Sequence, residues 1–196
     1  IDYTYSGANA RTLSDTLLGV GAVYAMSDTM SIFGGVHQGH SFPDAESASS
    51  YYDLGDDNAV GGSDDDADSL GYRNEEKSLN FELGIRGNLS KVYYELAYFN
   101  TSLEDMLALK SASSSTDKSF NMGEASIQGL EVLLGTDLGE NMGFGIPLQL
   151  SATFTDSEYE SASTATSGYL QGGEAGATLP FIPDTMFNLS GGLEFE

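Results

Sequence analysis

Cysteine is absent from the 196 residues, so the chain carries neither a disulfide framework nor a thiolate metal site, and its redox compartment cannot be read from thiols. Basic side chains are few. Seven Lys and Arg stand against thirty Asp and Glu, a formal charge of −23 that repels nucleic acid and anionic headgroups and argues against DNA or RNA as a partner. Long apolar runs are missing too. No charged start leads into an apolar stretch and no eighteen consecutive apolar residues occur, which excludes a signal peptide and a membrane helix from this segment. Any contact with a membrane core must then be made by a closed barrel, because in lipid only helices and closed sheets satisfy every backbone group.

Glycine is abundant, proline scarce, and the recurrent periodicity is two. Leu79, Phe81, Leu83 and Ile85 alternate with Asn80, Glu82, Gly84 and Arg86. Leu148, Leu150, Ala152 and Phe154 alternate with Gln149, Ser151, Thr153 and Thr155, and Leu130, Val132 and Leu134 share a face opposite Glu131. Phe187, Leu189, Leu193 and Phe195 alternate with Asn188, Ser190, Gly192 and Glu194. In Val92 to Phe99 the face of Val92, Tyr94, Leu96 and Tyr98 opposes that of Tyr93, Glu95, Ala97 and Phe99, with aromatics where girdle residues would sit. Two glycine-rich runs, Leu17 to Met26 and Met30 to Gln38, read as strands whose faces the pattern leaves unassigned. Ile1 to Tyr5 reads as the tail of one more strand, so the chain is expected to start mid-element.

The connections alternate in length. Ser27 to Thr29, Asn88 to Lys91 and Gly139 to Gly145 are turn-like; Ser41 to Lys77, Ser102 to Ser119 and Ser157 to Thr178 are long and polar. Outer-membrane barrels join strands by short periplasmic turns and long extracellular loops, whereas a sandwich need not sort its loops by parity. The expected fold class is therefore all-β, an antiparallel transmembrane barrel, here about seven to eight strands. In lipid the oily face points out, which leaves Glu82, Arg86, Glu95, Glu131 and Glu194 lumenal. Such residues imply a hydrated or plugged interior, wider than the side-chain-filled interior of an eight-stranded barrel.

Several segments resemble the barrel of TonB-dependent receptors, particularly ferric citrate and other siderophore receptors. They are LLGVGAVYAMSDTMSIFGGVHQGHSFP from Leu17 to Pro43, EEKSLNFELGIRG from Glu75 to Gly87, VYYELAYFNTSLEDML from Val92 to Leu107, GEASIQGLEV from Gly123 to Val132, LSATFTDSEYES from Leu150 to Ser161, and LPFIPDTMFNLSGGLEFE from Leu179 to Glu196. The resemblance implies a barrel of about twenty-two strands, of which residues 1–196 would be a partial domain in its later part. The plug, the early strands and a final strand with a C-terminal aromatic are not among these residues. It also implies uptake of a ferric siderophore or related chelate, with outer-membrane lipid around the wall and the TonB complex engaged through the plug region, in the outer membrane of a Gram-negative bacterium.

No arrangement of nucleophile, acid and base stands out, so the chain reads as non-enzymatic, with no cofactor and no metal site expected. His37 and His40 end a strand near the expected extracellular mouth, where an imidazole could touch a chelate; three residues apart in a strand, they point to opposite faces and make a poor chelating pair. In the Ser41 to Lys77 loop, Tyr51, Tyr52, Tyr72 and Arg73 are ligand candidates, since aromatic faces and a guanidinium fork recognise chelates. Asp56, Asp57, Asp64, Asp65, Asp66 and Asp68 could hold calcium, but their spacing is not that of an EF-hand, and a solvated acidic loop explains them as well. Two further readings stay open: a complete small barrel of about eight strands with a structural or adhesion role, and a secreted calcium-binding β protein.

Overall fold

The computed structural model describes residues 2–5, 11–42, 75–109, 119–121, 123–139, 144–161 and 173–195. Among these there is no helix, and thirteen strands occur. Seven of them form one antiparallel sheet: β3 (Gly19–Ser27), β4 (Met30–Ser41), β5 (Glu76–Leu89), β6 (Val92–Glu104), β9 (Ala125–Asp137), β11 (Pro147–Tyr159) and β12 (Thr185–Gly191). Their spatial order follows the chain, each strand pairing with the next, and β3 and β12 lie at the two ends without pairing to each other. This is an open wall, and a closed small barrel is not formed by the described residues.

Short hairpins close one end of the wall. Asp28 and Thr29 alone separate β3 from β4, and Ser90 and Lys91 separate β5 from β6, with Leu89 opposite Val92. Ser90 adopts φ 58°, the left-handed conformation that tight hairpins demand. The strand ends that lead into and out of the three long connections lie at the other end. Part of the middle one is itself a hairpin, β7 (Leu107–Leu109) with β8 (Ser119–Asn121), so the wall reaches beyond the expected start of that loop at Ser102. The first residues hold a hairpin as well. β1 (Asp2–Tyr5) pairs with β2 (Arg11–Ser14); the second strand of that pair carries no pattern long enough to be read in sequence.

Register fixes the two faces, including those of the glycine-rich strands. Leu83 lies opposite Gly34 and Tyr98, Tyr98 opposite Leu130, and Leu130 opposite Phe154, so all share one face. Val20, Tyr24, Ile32, Val36, Ile85, Leu96, Val132, Leu134, Leu150 and Leu189 fall on that face by the same ladders. Val20, Leu83 and Leu189 are 76%, 51% and 75% exposed, values that place large aliphatic groups in contact with solvent unless lipid replaces it. Buried apolar residues, by contrast, are few. The sheet has no core of its own along this face, as expected where lipid is the apolar phase.

One departure concerns the last strand. The alternation from Phe187 to Phe195 reads as a single element, but β12 ends at Gly191 and the chain continues as β13 (Glu194–Phe195), which pairs with β10 (Phe144–Gly145) in the β9 to β11 turn. Glu194 is thus opposite Gly145 in a two-stranded sheet and is not a residue of the main wall. The cause is local. Gly192 still donates to the Pro147 carbonyl at 3.0 Å, but Pro147 has no amide to return, and the chain passes from β11 to β10 as its partner.

Candidate functional site

The face opposite the apolar one carries Ser31, Phe33 and His37 on β4, Asn80, Glu82 and Arg86 on β5, Tyr93, Glu95, Phe99 and Thr101 on β6, and Glu131 on β9. Alternation along each strand, fixed by the outward position of its aliphatic residues, is what aims them here. At mid-wall Arg86 lies with its guanidinium carbon 5.3 Å from the centre of the Phe33 ring, and its ladder neighbour is Glu95. Glu95 accepts a 2.8 Å hydrogen bond from the Tyr93 hydroxyl. Phe33 and Phe99 cover glycines: Phe33 faces Gly84 and Phe99 faces Gly129, and a β-carbon added at either glycine would overlap the ring.

Nearer the long loops, between Glu82 and Glu76, the same face carries a neutral polar network. The Asn80 amide donates to the His37 carbonyl at 3.3 Å and to Ser78 Oγ at 3.0 Å, while its oxygen accepts from Thr101 Oγ1 at 2.9 Å. His37 lies opposite Asn80 and is exposed. His40, three residues on, stands opposite Lys77 on the outward face; its ring is 4.4 Å from Phe42 and its Nδ1 3.6 Å from an Asp15 carboxylate oxygen. The two imidazoles are not brought together. Tyr51, Tyr52, Tyr72, Arg73 and the six aspartates from Asp56 to Asp68 lie outside the described residues. Among the described residues no group of three His, Asp or Glu is placed to hold a metal ion.

A feature without a clear sequence signal closes the loop end of β11. Ala177 accepts from the Tyr159 amide at 2.9 Å and Thr178 bridges Glu158, after which the chain must reach Thr185 opposite Phe154. It takes seven residue steps to do what β11 does in four, so the segment from Leu179 to Asp184 bulges from the ladder. Leu179 is driven onto Ala125 and Tyr159, with Leu103, Met106, Ile127, Ala177 and Ile182 around them. Tyr159 is only 2% exposed, and its hydroxyl has no hydrogen-bond partner among the described residues. Asp156 and Glu158 face outward on this stretch of β11, so Tyr159 stands above the apolar band, and burial pushes its phenol above the ordinary value near 10. The two prolines of the LPFIPD segment mark a departure from the ladder; that Leu179 and Ile182 fold back onto the wall is a tertiary outcome that no local pattern encodes.

A family model described as TonB dependent receptor-like, beta-barrel, matches residues 2–196. The chain belongs to the TonB-dependent receptor barrel family. Solved structures agree on the fold. The ferric yersiniabactin uptake receptor FyuA from Yersinia pestis superposes with a TM-score of 0.61 at 21% identity, over 91% of this chain and 23% of that one. The copper transporter OprC gives 0.60 at 18% identity, over 96% and 25%. The alcaligin outer membrane receptor FauA from Bordetella pertussis gives 0.54 at 15% identity, over 92% and 27%. The chain therefore spans about a quarter of the length of the structures it matches. No curated protein matches it. The apolar face and the face of Glu82, Arg86 and Asn80 are thus the two sides of a TonB-dependent receptor barrel wall.

Proposed function

We propose that residues 1–196 form the later part of the barrel wall of an outer-membrane receptor that takes up a ferric siderophore or similar chelate, powered through TonB. The carrying observation is a row of outward residues. Val20, Val36, Phe81, Asn100, Gln128 and Asp156 are successive ladder partners on one face, and along the row they change from apolar to acidic. Two residues nearer the short turns along the same strands, the row of Ala22, Gly34, Leu83, Tyr98, Leu130 and Phe154 is free of charge throughout. The top of the apolar belt is Leu18 before β3 and Phe154 on β11, and the row-mate of Phe154 on β3 is Ala22, four residues past Leu18. Four residues rise about 14 Å while five strand spacings span about 24 Å, a slope of roughly 30°. Strands tilted in a barrel cross a flat membrane with such a stagger; an untilted sandwich has no reason to.

Lumenal polarity and long loops at one end supply a path and a capture surface, and His37, Tyr51, Tyr52, Tyr72 and Arg73 are the proposed ligand contacts. His40, on the outward face, would reach a ligand only from the rim. Neighbouring structures carry cargoes as different as a siderophore, copper and, in the RagAB importer, peptide, so the chelate rests on the resemblance to siderophore receptors. The test is transport. Cells whose single iron-chelate receptor is the full-length protein should accumulate isotope-labelled iron from a suitable chelate and lose that uptake when the energy-coupling protein is removed. Uptake that persists without energy coupling would indicate a passive barrel.

A further inference from the structure

The charges of the wall are unevenly placed. On the lumenal face of the seven-stranded sheet, register puts five carboxylates, Glu76, Glu82, Glu95, Glu131 and Asp137, against one guanidinium, Arg86. That guanidinium is already engaged, covering Phe33 with Glu95 beside it, in the half of the wall nearer the short turns. The half nearer the loops has Glu76 and Glu82 and, among the described residues, no lysine or arginine facing inward. Lys77, at the loop end of β5, faces outward and sits 3.4 Å from Glu75. The connection between β4 and β5 adds to the imbalance, since residues 42 to 75 contain ten Asp and Glu but one Arg.

Resting on the chelate-uptake reading above, we infer that the cargo passing this wall has no net negative charge: it is a neutral or cationic metal chelate, met on the wall below the proposed loop contacts by amide and hydroxyl groups. Two arguments converge. A cleft lined by one sign of charge with low-dielectric walls concentrates ions of the opposite sign and slows those of its own. The polar rim at the mouth, Ser78, Asn80 and Thr101 with the backbone carbonyl of His37, is built from neutral donors and acceptors joined by hydrogen bonds of 2.9 to 3.3 Å. Such groups match the carbonyl and hydroxamate oxygens of an uncharged chelate. A polyanionic catecholate or citrate complex needs guanidinium or ammonium partners to offset its desolvation, and among the described residues the half of the wall nearer the loops presents none inward.

The experiment uses the full-length protein in outer-membrane vesicles and a panel of ferric chelates graded in charge. It includes one trihydroxamate as the free amine (net +1), acetylated (neutral) and succinylated (net −1), together with triscatecholate and citrate complexes of higher negative charge. Capture of the neutral and cationic members should exceed that of the polyanions by roughly tenfold or more at low salt. For the +1 member, raising salt should lower the association rate, and Glu82→Gln should lower it further. Capture of the polyanionic complexes at equal or greater rate overturns the charge rule while leaving the receptor reading intact. Capture of no chelate in the panel overturns both, and the two failures are therefore distinguishable.

Discussion

Val20 and Asp156 occupy the same face and the same ladder row, five strands apart, yet one is apolar and the other a carboxylate, so in the proposed membrane setting one meets lipid and the other the water above it. Tilt alone reconciles them. Arginine at Val20 should therefore impair barrel assembly and arginine at Asp156 should not. Leu83→Arg, deeper in the belt, is expected to cost about 2–4 kcal/mol, while Asp156→Arg stays within about 0.5 kcal/mol. Urea unfolding of the full-length barrel in detergent, with heat-modifiable gel migration as an independent readout, measures both.

Gly129 is tied to its neighbours by two surfaces at once, the Phe99 ring on β6 and the Phe154 carbonyl oxygen on β11. Gly129→Ala should destabilise the barrel by about 1–3 kcal/mol through overpacking. Pairing it with Phe99→Leu should restore part of that loss and not all, because the carbonyl remains. Full recovery in the double variant would mean that the backbone approach is looser than the geometry shows.

Tyr159 supplies a pH-dependent signature. Its phenol is held protonated by burial, so the folded-state pKa lies above the unfolded value of about 10. The stabilisation this represents is fully present below the unfolded pKa and is lost as pH rises through the folded one. Packing of the Leu179 to Asp184 bulge should accordingly be unchanged from pH 5 to 9 and loosen only in stronger alkali, read as amide exchange in that segment alongside the tyrosinate absorbance. Tyr159→Phe should abolish the alkaline step, and it should not destabilise the bulge at neutral pH, since the hydroxyl it removes is buried without a hydrogen-bond partner among the described residues.

The loop candidates separate from the wall. Changing Tyr51, Tyr52 and Arg73 together to alanine in the full-length protein should weaken capture of ferric chelates while heat-resistant migration of the barrel stays normal. Unaltered binding of every chelate tested would move the capture surface away from this loop.

What could be read from sequence follows from the range of the forces involved. Alternation is local, so the faces of Leu83, Ile85, Leu130, Val132, Leu134 and Leu189 and the inward aim of Glu82, Glu95 and Glu131 were legible, and so was the opposition of His37 and His40. Glycine-rich β3 and β4 were not assignable by pattern. Gly21 and Gly35 face one way and Ala22 and Gly34 the other, and hydropathy cannot separate residues with so little side chain; only their register with Leu83 and Glu82 does so. The fate of Glu194 was missed because a proline two strands away in sequence, Pro147, decides where β12 must change partners. The nest of Ala125, Tyr159 and Leu179 joins the start of β9, the end of β11 and the connection that follows it, and has no local signature.

The central claim is that one face of this sheet meets lipid along a belt that slants across the ladder. With no native cysteine in the chain, single cysteines at Val20, Leu83, Glu82 and Asp156 can be placed in the full-length protein, cleared of any thiol elsewhere, and labelled with an environment-sensitive fluorophore in native outer membrane. Quenching by nitroxide-bearing lipid is the decisive measurement. The account predicts strong quenching at Val20 and Leu83, none at Glu82, and at Asp156 a label open to water-soluble quencher from outside the cell. Equal lipid quenching at Val20 and Asp156, or quenching at Glu82 in place of Leu83, would contradict it.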